Sequence, residues 1–231
     1  MSVVCSNIYL DKLDKELEQR ELRFTRYADD VLIFTKSEKA ANRVMKSISS
    51  WLERKLFLRV YATKTKVVRP TRSKYLGFMF LKHGGEWKVK PTTEKKKKLK
   101  EKLSEYLRRG KAVARPLAVT IKRVNEITRG WINYFRIGMM KQFMEELGQG
   151  QRHKIRVIVM KQWKTPKTIY RNLCYLNRKN HNGFNHEAIY KVANSRLGWY
   201  RKSGMNVVSF IISKDLLENK IKDGAKVCSI L

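Results

Sequence analysis

An α+β fold, an antiparallel sheet with a packed helix followed by a mostly helical region, is predicted by three features of the sequence. Residues 22–26 and 31–35 are apolar-rich runs on either side of Tyr27-Ala28-Asp29-Asp30, the pattern of a β-hairpin with two carboxylates at its tip. Ala41, Val44, Ile48 and Leu52 then recur at three- and four-residue steps, the spacing of an amphipathic helix. At Pro91 the composition changes abruptly to PTTEKKKKLKEKLSEYLRRGK, a basic stretch of helical period.

Taken in order, Ser37 is placed to cap the first of these helices. Leu56, Leu58 and Val60 alternate, which predicts a strand across LFLRV, and YLGFMF and EWKVK predict a second hairpin turning on Gly84 and Gly85. Beyond Pro91, Leu99, Leu103, Tyr106 and Leu107 form one apolar stripe, and Leu117, Ile121, Val124, Thr128, Trp131 and Phe135 form another. Trp131, Tyr134 and Phe135 sit at helical spacing, which favours packing over base stacking. NLCYLNRKNHNGFNHEA reads as an Asn-rich loop between helices, and the tail from Met205 as a strand-like run and a short helix.

The 231-residue chain has 52 basic and 20 acidic residues, a net charge of +32, so an extended polyanion is its natural partner. No segment approaches the roughly 20 apolar residues of a membrane span, which excludes a membrane partner at this level. The opening MSVVCSNIYL has no cationic n-region and no long apolar h-region, so a cytosolic location is expected. Cys5, Cys174 and Cys228 are widely spaced and predict no disulfide framework. His83, His153, His181 and His186 are too scattered for a zinc site and read as solvent or loop histidines. Adjacent carboxylates repel each other unless hard cations sit between them and phosphate oxygens, although a bare Asp-Asp pair also suits an ordinary turn capping its own amides.

RYADDVLIF contains the Tyr-x-Asp-Asp signature of reverse transcriptases, and here the chain resembles the C-terminal half of a group II intron-encoded reverse transcriptase/maturase. NIYLDKLDKELEQR resembles the segment entering the catalytic hairpin, ATKTKVVRP the following palm motif, and YLGFMF the primer-grip block. RGWINYFRIG resembles the thumb-to-maturase transition, and RHKIRVIVMKQWK and SRLGWYRKSG resemble the maturase domain. The resemblance implies a partial palm over 1–90, thumb helices over 91–140 and a maturase domain with a short tail over 141–231. It also implies Asp29 and Asp30 as catalytic metal ligands, with Tyr27, Lys64, Leu76 and Gly77 near nucleotide or primer.

Intron RNA is expected to meet Lys95, Lys96, Lys97 and Lys98, then Arg152, Arg156, Lys161 and Lys164, then Arg196, Arg201 and Lys202. Full-length relatives carry another metal-binding aspartate and a Gly-Pro loop upstream of this segment. The expectation is therefore an N-terminally truncated enzyme that lacks polymerase activity alone, taking Mg²⁺ only when the missing palm half is supplied, for instance by a separate fragment. Its expected partners are group II intron RNA and template-primer, in a bacterial cytoplasmic ribonucleoprotein. Asp11 and Asp14 lie on a predicted helix and are given no catalytic part. Gly148, Gln149, Gly150 and Gln151 replace the family's acidic, Trp-containing turn. The rival expectations are a non-enzymatic RNA-binding splicing factor and a generic basic nucleic-acid binder.

Overall fold

Helix α1 (Val3–Gln19) leads into a two-stranded antiparallel hairpin of β1 (Arg23–Tyr27) and β2 (Asp30–Phe34), and helix α2 (Glu38–Leu56) follows. The structure, a computed structural model, describes residues 3–61 and 64–217 and divides into two units, 1–90 and 91–231. In the first unit Phe24 pairs with Ile33 in the hairpin register, and both pack against a core cluster of Leu13 and Leu17 from α1 and Ile48 and Leu56 from α2. The period-two alternation of the strands thus turns one hairpin face to the core. The Ser37 hydroxyl accepts from the Ala40 amide and caps α2, as its sequence position predicts.

The strand expected from Leu56 to Val60 does not form among the described residues. Leu56 is the last, buried residue of α2, and Phe57 stops the helix in the left-handed region at φ 52°, its N–H returning to Leu52 O. Leu58 still joins the core and Val60 lines a cavity, so the alternation marks an extended segment half-buried without a partner ladder.

Strands β3 (Lys74–Tyr75), β4 (Phe78–His83) and β5 (Glu86–Pro91) make a second sheet in that order. Gly84 and Gly85, at φ 59° and 82°, turn β4 into β5 with the two positive dihedrals a type I′ turn requires. YLGFMF is not a single strand. Leu76 and Gly77, at φ 49° and 82°, form another two-residue turn between the paired Tyr75 and Phe78.

The second unit is helical: α3 (Thr93–Tyr106), α4 (Arg109–Ala112), α5 (Leu117–Phe135), α6 (Lys141–Trp163), α7 (Pro166–Lys179), α8 (His186–Asn194), α9 (Trp199–Ser203) and α10 (Asn206–Ile211). Leu99 and Leu103 from α3, Ile121 and Val124 from α5, Ile155 and Ile158 from α6, and Leu173 and Ile189 from α7 and α8 share one core. Trp131 and Phe135 pack at 4.5 Å between ring centroids, and Tyr134 stays 55% exposed.

Two readings of this region are corrected. Asn172 to Lys179 belong to α7, whose Ile169, Leu173 and Leu176 are buried at helical spacing, so the loop spans only residues 180–185. The run after Met205 is helix α10, with Val208 and Ile211 buried on one side. The short helix expected after it begins at residues 214–217 and otherwise lies outside the described residues, as does Cys228. Residues 148–151 continue α6 without a turn.

Candidate functional site

The β1–β2 tip is built from an arginine upward. Arg26 donates through Nε to Asp14 Oδ1 at 2.7 Å and through Nη2 to Asp14 Oδ2, so a planar fork ties β1 to α1. Its Nη1 reaches Asn7 Oδ1 and Ala28 O, both at 2.9 Å, which fixes the carbonyl at the start of the turn. The Asp14 hydrogen bond raises the Arg26 pKa above its ordinary value, outweighing the opposing effect of burial. Ala28, held at φ 52°, is in the left-handed region that a β-carbon disfavours.

This scaffold presents Asp29 and Asp30 to solvent. Neither carboxylate has an ion pair among the described residues, in a chain with 52 basic side chains. Tyr27, 61% exposed, lies opposite Asp30 in the register, and Tyr75 donates its hydroxyl to Asp30 O at 3.4 Å. That bond brings the strand preceding the Leu76–Gly77 turn to the Asp29–Asp30 hairpin. Lys64 sits 5.6 Å from the Tyr61 ring centroid. The outer edge of β2 is unpaired among the described residues, and an apolar cavity of about 260 Å³ lies beside it, lined by Leu32, Phe34, Val44, Leu52 and Phe80 among others.

Two family models match the chain: reverse transcriptase (RNA-dependent DNA polymerase) over residues 1–80, and group II intron, maturase-specific domain over residues 96–176. Together the two matches support a group II intron reverse transcriptase/maturase. No curated protein matches the chain. The reverse-transcriptase match contains the whole Asp29–Asp30 hairpin, and the maturase-domain match runs from within α3 into α7.

The reverse-transcriptase family uses divalent metal, and the hairpin offers the hard oxygen donors such ions take. Among the described residues no group of three or more His, Cys, Asp or Glu is arranged to hold an ion. Asp29 and Asp30 are two exposed carboxylates, fewer than the three donors such a group needs. No helix among the described residues is long and apolar enough to cross a membrane.

In the second unit the expected RNA-binding cations divide by environment. Lys95, Lys97 and Lys98 are exposed on α3, with Lys97 3.8 Å from Glu101. Lys95 and Lys98 border an open groove of about 440 Å³ over α3 and α5, together with Trp131 and with Lys102 and Arg123, two cations not among the expected contacts. Lys96 lies 5.1 Å from the Phe143 ring centroid. Arg152 and Lys161 are half-buried, whereas Lys164, Arg196 and Arg201 are exposed.

Arg156 and Lys202 turn inward. Arg156 donates to Ile212 O at 2.9 Å and Ser209 O at 3.1 Å, satisfying carbonyls at the end of α10, and burial, then Arg152, lowers its pKa. Lys202, 6% exposed, donates to Ala193 O at 3.2 Å and lies 5.6 Å from the Trp199 ring centroid, with its pKa lowered by burial. His153 is neither a loop nor a solvent histidine: from α6 its Nε2 lies 3.0 Å from Tyr200 O and 3.2 Å from Ser203 Oγ, joining α6 to α9. His186 is also helical, the first residue of α8, with Nδ1 2.9 Å from Tyr170 Oη.

Sequence reasoning missed the structural weight of Arg26 and Asp14. The signal available was an arginine directly before the Tyr-x-Asp-Asp motif and an acid on the apolar-patterned helix preceding it.

Proposed function

We propose that Asp29 and Asp30 are ligands for catalytic Mg²⁺ in RNA-templated addition of deoxynucleotides to a DNA 3′ end, and that residues 91–231 hold intron RNA for splicing. The observation that carries this reading is the pair of exposed, unpaired carboxylates on an arginine-braced hairpin inside the reverse-transcriptase match. When bound, the divalent ion supplies charge neutralisation at the reacting phosphates. The chain's own residues supply the rest. Arg26 and Asp14 hold the tip rigid, Tyr27 stands next to the carboxylates, and Lys64, Leu76 and Gly77 face nucleotide or primer.

Two carboxylates alone hold Mg²⁺ weakly, so a further acid enters on another strand. The unpaired β2 edge and the adjacent apolar cavity are suited to receive that strand from a separate reverse-transcriptase fragment. Lys95, Lys97, Lys98, Arg152, Lys161, Lys164, Arg196 and Arg201 then contribute phosphate contacts, with Lys96 beside them. Arg156 and Lys202 serve the fold instead.

Primer extension on an RNA template tests the reading. Residues 1–231 alone are expected to give no product, addition of a palm fragment bearing a further aspartate to restore it, and Asp29→Asn or Asp30→Asn to abolish it while leaving intron-RNA binding unchanged. The absence of a third acid at the tip among the described residues favours a second reading, a splicing factor without polymerase activity. Intron-RNA binding with no extension under any of these conditions would establish that second reading.

A further inference from the structure

We propose that the outward face of α7 binds RNA at an unpaired nucleotide, stacking the base on Tyr175 and holding the flanking phosphates with Arg171 and Arg178. The inference rests on the reading of residues 91–231 as an RNA-binding unit, and it names the surface and the form of RNA taken there.

Helix α7 buries Ile169, Leu173 and Leu176. Their three- and four-residue spacing leaves Lys167, Arg171, Tyr175 and Arg178 on the opposite side, all exposed, with Tyr175 at 62%. The helix contains no acidic residue, and none of its four cations has an ion pair among the described residues. Neighbouring helices differ, since Lys191 on α8 pairs with Glu187 at 2.6 Å and Arg123 on α5 with Glu126 at 2.9 Å. A face needed only for solubility mixes both signs. One sign of charge around a central exposed aromatic ring complements a polyanion that also presents flat bases.

Base pairing decides which form of RNA fits. In a duplex the faces of the bases are hidden in the stack and the major groove is too narrow to read, so a ring on a helix surface has nothing to stack on. An unpaired base exposes its face. Arg171 and Arg178, four residues before and three after Tyr175, flank the ring where phosphates on either side of that base would run. At the end of α7 an open pocket of about 390 Å³ adds His181 and His186 beside Arg178. Its loop is fixed by Asn177, which donates to Phe184 O at 2.8 Å and accepts from Phe184 N at 3.3 Å. The pocket walls are therefore in place before a ligand arrives.

The test titrates the full chain with a group II intron RNA, an RNA stem-loop and a blunt RNA duplex of equal length. Tyr175→Ala is expected to weaken stem-loop binding by roughly 5- to 150-fold, the range of one base–aromatic stack, with duplex binding unchanged. Tyr175→Phe keeps the ring and is expected to bind as the parent does. Arg171→Gln and Arg178→Gln should each reduce the slope of log affinity against log salt by about 0.7. Parental affinity of Tyr175→Ala for the stem-loop, or equal losses on stem-loop and duplex, would overturn the proposal. If the unaltered chain binds none of the three RNAs, the RNA-binding reading of the unit fails as well, an outcome distinct from failure of the α7 surface alone.

Discussion

Arg26 and Lys202 are both cations held against the protein, yet their pKa values move in opposite directions. Arg26 faces the Asp14 carboxylate, and that bond raises its pKa. Among the described residues Lys202 has a carbonyl and an indole face as partners and no carboxylate, so desolvation dominates and lowers its pKa from an ordinary value near 10.5. The sign of the pH effect follows from linkage. Between the depressed folded pKa and about 10.5 the unfolded chain binds more protons at this site, so folding stability rises with pH across that window. Melting temperatures of the unaltered chain and of Lys202→Met, compared up to about pH 10.5, should show the parent gaining on the variant as pH rises. A pH-independent difference would mean that the lysine keeps its ordinary proton affinity in the fold. The comparison with a variant matters because deprotonation elsewhere also relieves repulsion in a chain of net charge +32.

At the scale of elements, α6 holds its neighbours through polar ties as well as through its core face. Gln162 Nε2 donates to Val113 O at 3.1 Å and Arg115 O at 2.9 Å, closing the connection between α4 and α5 against α6. Gln162→Leu leaves both carbonyls without that donor and is expected to lower unfolding free energy by about 1–3 kcal/mol, read from the urea midpoint. Such long-range ties are invisible in sequence, because the donor lies 47 to 49 residues from its acceptors. Local signals were legible. The hairpin around Asp29 and Asp30, the Ser37 cap and the α5 stripe depend on residues a few positions apart. The strand expected at 56–60 failed because alternation reports which side chains are buried, not whether a partner strand is present. The Asn-rich segment hid two helical leucine positions, Leu173 and Leu176, and α10 was misread because short apolar runs do not distinguish strand from helix.

For the whole molecule, the two units have cores of very different extent. Among the described residues the first has Leu13, Leu17, Ile48 and Leu56 buried, while the second buries apolar side chains from α3 through α10. Smaller cores give marginal stability, so the first unit should melt first and calorimetry should show two transitions. Leu17, with no exposed surface, reports the lower one: Leu17→Ala is expected to destabilise it by about 2–5 kcal/mol and leave the upper transition in place. Intron RNA supplies the complementary test. A ligand stabilises only the part of a chain whose folded form binds it, by an amount set by its concentration relative to Kd. If RNA is held by residues 91–231, adding it raises the upper transition and leaves the lower one where it was. A shift of the lower transition instead would place the principal RNA contacts on the first unit, and a single shifted transition would show that the two cores unfold together.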